Sequence, residues 1–241
     1  MTDRRASLRE NLAAVRSALD GAAARSGRDP VDVTLVAICK EQPAELVSIL
    51  AELGVDDFGE NYAQELAAKR GAAPAARWHF VGRLQSHTAH RVAEHADLVH
   101  SAVPGRALQR LDARATSKSA TIPVLLQVDE SGRHQGVAPS DAEAAVRAIA
   151  ELEGVDAIGL MTLPPAPHEP EDSRPYFARL RELRDDLAGP FPELRELSMG
   201  MSLDCEIAVE EGATMVRVGT ALFGPRPSSA GPLAPNGGPS D

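Results

Sequence analysis

Residues 195–224 read RELSMGMSLDCEIAVEEGATMVRVGTALFG, and the order of their parts decides the fold class. A short strand-like run (195–197) gives way to Ser198-Met199-Gly200-Met201-Ser202, then to a helical stretch (203–211). A second apolar strand (215–218) follows and ends on Gly219-Thr220, where another short helical turn begins. Strand, hydroxyl-and-glycine loop and helix, twice in succession, is what a (β/α)8 barrel presents after its seventh and eighth strands, where such barrels often hold phosphate. The hydroxyls of Ser198 and Ser202 can converge with backbone N–H groups on an anion at the helix start near Leu203; an ordinary N-cap by Ser202 is the plainer reading. Gly219 permits close backbone approach, and Thr220 adds a hydroxyl.

Upstream of this stretch the same alternation continues. Strand-like runs fall at 33–39, 56–58, 78–81, 98–100, 124–128 and 157–160, separated by helical stretches at 44–53, 62–70, 88–96, 105–118, 140–152 and 173–187. An amphipathic helix over roughly 4–25, with Leu8, Leu12, Val15 and Leu19 on one face, precedes them. Alternation of this kind implies βα units and a parallel sheet. Eight strands make an α/β, single (β/α)8 TIM-type barrel with an extra N-terminal helix the expected fold; a doubly wound open sheet is the competitor that periodicity does not exclude. The barrel domain is expected to span 1–224. Residues 225–241, rich in Pro and Gly and poor in apolar groups, read as a disordered tail.

Composition narrows the function classes. With 241 residues, 43% hydrophobic and only 3% aromatic, the core must rest on aliphatic side chains, which suits helices around a parallel sheet. A formal net charge of −10 and a pI near 5.2 disfavour nucleic acid and anionic membranes as partners. Cys39 and Cys205 show no metal or disulfide spacing, so no metal site is expected and both read as reduced thiols. The chain opens on polar residues and holds no run near the roughly 18 apolar residues of a membrane span. A cytoplasmic protein is expected.

Most of the polar residues that punctuate the pattern fall after strands, on one predicted rim: Lys40, Glu60 and Asn61, Arg83 to Ser86, Asp129 to Gly136, Met161 and Thr162, Ser198 to Ser202, and Arg217 to Thr220. Lys40 ends the apolar run 33–39, which places its ammonium at the barrel mouth with the stem desolvated. Desolvation lowers a lysine pKa and exposes a free amine to carbonyls. A lysine that merely snorkels to solvent is the alternative for this residue alone.

Taken together, these segments resemble one family, the pyridoxal phosphate homeostasis proteins, whose fold is similar to the barrel domain of alanine racemase. The matching motifs are LVAICK (35–40), FGENYAQE (58–65), WHFVGRLQS (78–86), GLM (159–161), LSMGMS (197–202) and VRVGTALFG (216–224), in family order. The resemblance implies pyridoxal 5'-phosphate (PLP) as cofactor, held as a Schiff base on Lys40. It implies that Ser198, Gly219 and Thr220 hold the phosphate, that Arg217 faces the pyridine nitrogen, that Asn61 lies beside the ring, and that Met199 and Gly200 also belong to the cofactor-binding residues. His79 is expected to pack in or near the barrel and is a candidate to line the pocket; His87, His90, His95 and His100 are expected at the surface. An arginine at the ring nitrogen keeps its own proton and disfavours the pyridinium that makes PLP a strong electron sink. Around the lysine, Cys39 and Glu41 depart from the family's Ser-Lys-Thr, and His87-Thr88 stands in place of its Asn-Lys.

The expected function is therefore a PLP carrier and buffer without robust catalysis, a monomer whose partners are PLP and the PLP-dependent apoenzymes that receive it. A racemase of the alanine type needs a second acid/base opposite the lysine, usually from an added domain; the barrel is expected to end near Gly224, and neither Tyr62 nor Tyr176 can be placed there. The alternatives are a PLP-dependent amino-acid racemase using Lys40 as one base, and a Schiff-base aldolase that uses no PLP.

Overall fold

A computed structural model describes residues 2–132 and 135–224. Helix α1 (Thr2–Arg25) leads into β1 (Thr34–Ile38), α2 (Ala44–Glu52), β2 (Asp57–Glu60), α3 (Ala63–Lys69), β3 (Arg77–Phe80), α4 (Ala89–His95), β4 (Leu98–Ala102) and α5 (Arg106–Thr116). The second half runs β5 (Ile122–Val128), α6 (Ala142–Ala150), β6 (Val155–Thr162), α7 (Arg174–Leu187), β7 (Glu196–Ser198), α8 (Cys205–Glu210), β8 (Met215–Val218) and α9 (Thr220–Phe223). Every strand pairs in parallel with its sequence neighbour, and β8 pairs with β1, in register from Thr34 with Met215 to Ala37 with Val218. The sheet is a closed eight-stranded barrel, and the open-sheet alternative falls. The expected tail, 225–241, and Arg133 and His134 of the loop after β5 lie outside the described residues.

Strand alternation divides the core in two. Outward-facing Ala37, Phe58, Trp78, Val99, Leu126, Leu160, Leu197 and Val216 are buried beneath the helices, with Trp78 stacked on Phe58 at 5.5 Å between ring centroids and its indole N–H donating to the Ala73 carbonyl. A smaller group, Val36, Leu98, Leu125, Met161 and Met215, packs together separately. Asp57, His79, His100, Ser198 and Arg217, from β2, β3, β4, β7 and β8, form a second, polar group linked by hydrogen bonds. Helix α1 buries Leu8, Leu12, Val15 and Leu19 as its period requires. It is tied to the last two helices by Asn11, whose amide donates to the Leu222 carbonyl at 2.8 Å, and by ion pairs from Arg25 to Glu206 and Glu210. The segments that follow β7 and β8 are thus braced from outside. No helix among the described residues is long and apolar enough to cross a membrane.

Candidate functional site at the barrel mouth

Lys40 follows β1 directly, and closure of the barrel brings it against the end of β8. Ile38, Lys40, Gln42, Gly219, Thr220, Phe223 and Gly224 line one small cavity. A Cβ at position 219 would stand 3.3 Å from the Ile38 carbonyl oxygen, so the glycine lets the two strand ends approach. The backbone turn that presents Lys40 is held on both sides. Lys69 donates to the Cys39 carbonyl at 2.6 Å, while the Glu65 carboxylate accepts the Glu41 N–H at 2.8 Å. Glu41 itself has φ of 61°, a left-handed conformation that a non-glycine residue adopts only when its surroundings impose it.

Lys69 is the hub of this support. Its ammonium also pairs with Glu60 at 2.7 Å and Glu65 at 2.6 Å, and Glu60, which is fully buried, accepts the Cys39 thiol at 3.2 Å. Burial drives the Cys39 thiol well above its usual range, so it stays protonated and serves as a donor. Burial likewise raises the Glu60 pKa, only partly countered by the hydrogen bond from Lys69. For Lys69, burial pulls the pKa down, but the hydrogen bonds to Glu60 and Glu65 outweigh it and the net shift is upward.

Asn61 follows β2 on the same rim. Gly82, after β3, packs so closely on its backbone that any Cβ there would overlap the Asn61 carbonyl. Gly82→Ala is expected to push the Asn61 peptide aside and to destabilise the protein by about 1–3 kcal/mol, the usual cost of overpacking, read by chemical denaturation. A loss below about 0.5 kcal/mol would mean that the β2 and β3 ends yield freely.

The loop after β7 is placed differently from expectation in two respects. Ser198 faces the barrel interior and is fully buried, and its hydroxyl is engaged there: it accepts from the Arg217 guanidinium and pairs with His100 Nδ1 at 2.8 Å. Ser202 instead reaches the Gly219 segment, its hydroxyl accepting the N–H groups of Gly219 and Ala221 at 3.3 Å each. Met199 departs too. Alternation turns its side chain outward into the helix-covered core, and its N–H is spent on the Met215 carbonyl at 3.2 Å. Gly200, with φ of 89°, makes the turn between them, and its carbonyl accepts the Arg217 N–H at 3.0 Å. A side chain at 200 would strike Ala208. Asp204, missed in the sequence, accepts the Met201 N–H at 2.7 Å and the Ser173 hydroxyl at 2.6 Å, and so pins this loop from below.

Arg217 projects inward from β8 and is 5% exposed. It donates to Ser198 and, at 2.9 Å, to the Thr162 carbonyl. Burial pushes its pKa down to about 10, which leaves it charged at neutral pH. Among the described residues no carboxylate lies within ion-pairing distance of it. A buried cation bonded only to neutral oxygens is an incomplete electrostatic arrangement, suited to an acceptor delivered by a ligand.

The histidines also differ from expectation. His87 and His90 are exposed, but His100 is fully buried inside the barrel, because β4 turns it inward beside His79. His79 lies within the barrel, as expected. Both of its ring nitrogens are taken, Nδ1 by His100 and Nε2 by Asp57, each at 2.8 Å, so it meets the Arg217 site only through His100. Burial lowers the pKa of both rings, that of His100 strongly. The sign is therefore fixed: below pH 6.5 the unfolded chain takes up protons that the fold refuses, and stability falls with acidification. Each ring contributes up to about 1.4 kcal/mol per pH unit in that window. Denaturant titrations between pH 7 and 5 are expected to show this slope, and His100→Gln to reduce it; a flat profile would count against two neutral buried rings.

The closed eight-stranded parallel barrel defines a class, the barrel of the alanine racemase N-terminal domain, whose family model matches residues 5–227. A pyridoxal phosphate homeostasis protein of Pseudomonas aeruginosa is 42% identical over 221 residues, covering 90% of this chain and 95% of its own. One of Aquifex aeolicus is 38% identical over 222 residues, 90% and 97%. The structure of PipY of Synechococcus elongatus, solved with PLP bound, superposes with a TM-score of 0.79 at 35% identity, covering 90% of this chain and all of that one. The chain belongs to the pyridoxal phosphate homeostasis protein family.

Proposed function

We propose that this protein binds PLP at the mouth of the barrel and serves PLP homeostasis as a carrier and buffer. The observation that supports this most is the shared cavity of Lys40 with Gly219 and Thr220, an amine beside a glycine-and-hydroxyl strand end; the reading assigns three groups to three parts of one ligand. Lys40 supplies an amine to the aldehyde. Gly219, Thr220 and the Ser202 hydroxyl surround the phosphate position, and Arg217 offers its charge at the ring nitrogen, with Asn61 beside the ring. PLP, when bound, supplies an aldehyde that condenses reversibly with an amine, which suits storage and release. In this reading Ser198 orients Arg217 and leaves the phosphate to Ser202.

All of these residues come from one chain, so a monomer suffices. The barrel, residues 1–224, is the binding unit, the cytoplasm its compartment, and PLP-dependent apoenzymes its recipients. Two buried free thiols suit a reducing compartment, and the net charge of −10 disfavours nucleic acid. Mass spectrometry of the PLP-loaded protein after borohydride reduction, with peptide mapping, tests the central assignment. A pyridoxyl group on the peptide that contains Lys40 is expected; an adduct elsewhere, or none, would overturn it.

A further inference from the structure

Four hydrogen bonds in series cross the barrel interior from β8 to the start of β2. Arg217 donates to Ser198 Oγ; Ser198 Oγ lies 2.8 Å from His100 Nδ1, His100 Nε2 2.8 Å from His79 Nδ1, and His79 Nε2 2.8 Å from Asp57 Oδ1. Ser198, His100 and His79 are wholly buried, and the Asp57 side chain is 15% exposed at the opposite end of the barrel from Lys40. Arg77 also pairs with Asp57, at 2.6 Å. Tethering an aldehyde to Lys40 requires none of the three residues beyond Ser198.

The two ends dictate the direction of every link. A guanidinium only donates and a carboxylate only accepts. Asp57 therefore receives the proton of His79 Nε2, which leaves His79 Nδ1 as an acceptor. His100 must then donate from Nε2, and its Nδ1 must accept from the Ser198 hydroxyl. The Ser198 oxygen is left to accept from Arg217. One assignment satisfies all four links, with both imidazoles neutral and both in the Nε2–H form. Reversing either ring sets two donors or two acceptors face to face, at a cost that burial makes large.

We propose that Asp57, His79 and His100 are positioning residues that transmit the pull of a carboxylate through the barrel to Arg217, orienting its guanidinium and setting how strongly it acts on the ligand's ring nitrogen. The inference rests on the reading of Arg217 as the residue at that nitrogen. Asp57 is thus the carboxylate joined to Arg217 through hydrogen bonds, whereas Asp204 acts on the arginine only through space. Histidines that only filled space would hold their tautomers independently of residue 57.

Long-range proton–nitrogen correlation spectra of the ligand-free protein test the polarity directly. His79 and His100 are expected as neutral Nε2–H tautomers at pH 7. Asp57→Asn is expected to move the His100 ring N–H resonance although the two residues do not touch. In the PLP-loaded protein Asp57→Asn is expected to shift the visible band and to speed PLP release roughly 2- to 10-fold, the size of one net hydrogen bond. In a Ser198→Ala background, where the series is cut, the same substitution is expected to leave band and release rate unchanged. A charged ring, an Nδ1–H tautomer in either histidine, or equal effects of Asp57→Asn in both backgrounds would overturn the relay. Correct tautomers without any PLP uptake by the unaltered protein would instead sink the functional reading, and with it any effect of the relay on a cofactor.

Discussion

Lys40→Ala is expected to abolish the borohydride-fixed pyridoxyl adduct and to weaken PLP binding roughly 100-fold, about 2.7 kcal/mol. In the proposed binding mode the variant keeps the phosphate position at Gly219, Thr220 and Ser202 and the charge of Arg217, so residual binding through those groups is expected. It is also expected to fold normally. The turn at position 40 is held through the Cys39 carbonyl and the Glu41 N–H, by Lys69 and Glu65, and neither bond involves the side chain at 40. Lys40→Arg separates charge from covalency, because arginine keeps a cation at the mouth but offers no amine that condenses with an aldehyde. Absorbance titration with PLP, together with a thermal melt, reads both properties. An alanine variant that remained coloured and fixable would move the attachment point to another amine.

Lys69→Met is expected to destabilise the protein by about 3–5 kcal/mol, the usual result of removing one partner from a buried ion pair. Glu60 is fully buried and would lose its cation, and the Cys39 carbonyl would lose its ammonium donor. The loss depends on pH. Burial already raises the Glu60 pKa, and without Lys69 the carboxyl would hold its proton more tightly still. Above the unfolded value near 4.5 the folded variant then binds a proton that the unfolded chain has released, so its stability falls as pH rises through that window. Denaturant melts from pH 5 to 8 are expected to show the deficit relative to the unaltered protein widening as pH rises, since the histidine contribution is common to both, and Glu60→Gln combined with Lys69→Met to recover part of the loss, since the amide carries no charge to bury. A deficit below about 1 kcal/mol would mean that water or a rearranged side chain reaches Glu60. PLP binding is expected to weaken in the same variant because the turn beneath Lys40 loosens.

Much of the architecture was readable along the chain. Parallel strands buried on both faces appear as apolar runs, and the last of them, 215–218, coincides with β8. Boundaries moved where local turn chemistry intervened: the helix expected from 140 begins with a 3-10 turn at Pro139–Asp141, and α6 starts only at Ala142. Lys40 and Gly219-Thr220 were legible as candidates because each follows a strand, and strand ends of a parallel barrel share one rim. The reading failed where one residue's partner comes from a distant strand. His100 looked like a surface histidine because its neighbours at β3, β7 and β8 are absent from the local pattern. Ser198 and Ser202 could not be told apart, since the sequence shows two hydroxyls in one loop but not which one strand alternation points inward.

By itself, then, the sequence determined the order of βα units, the rim on which the odd residues fall and the amine and hydroxyl groups available there. Only the tertiary structure decided who meets whom. Pairing of β8 with β1 sets Val36 opposite Arg217 and brings Lys40 to Gly219 and Thr220. The inward turn of β2, β3, β4 and β7 aligns Asp57, His79, His100 and Ser198 into one hydrogen-bonded series. The physical reason is that closure is a property of the whole sheet: local propensity selects each strand, but the contacts between strands are set by register and barrel geometry, which no single segment encodes.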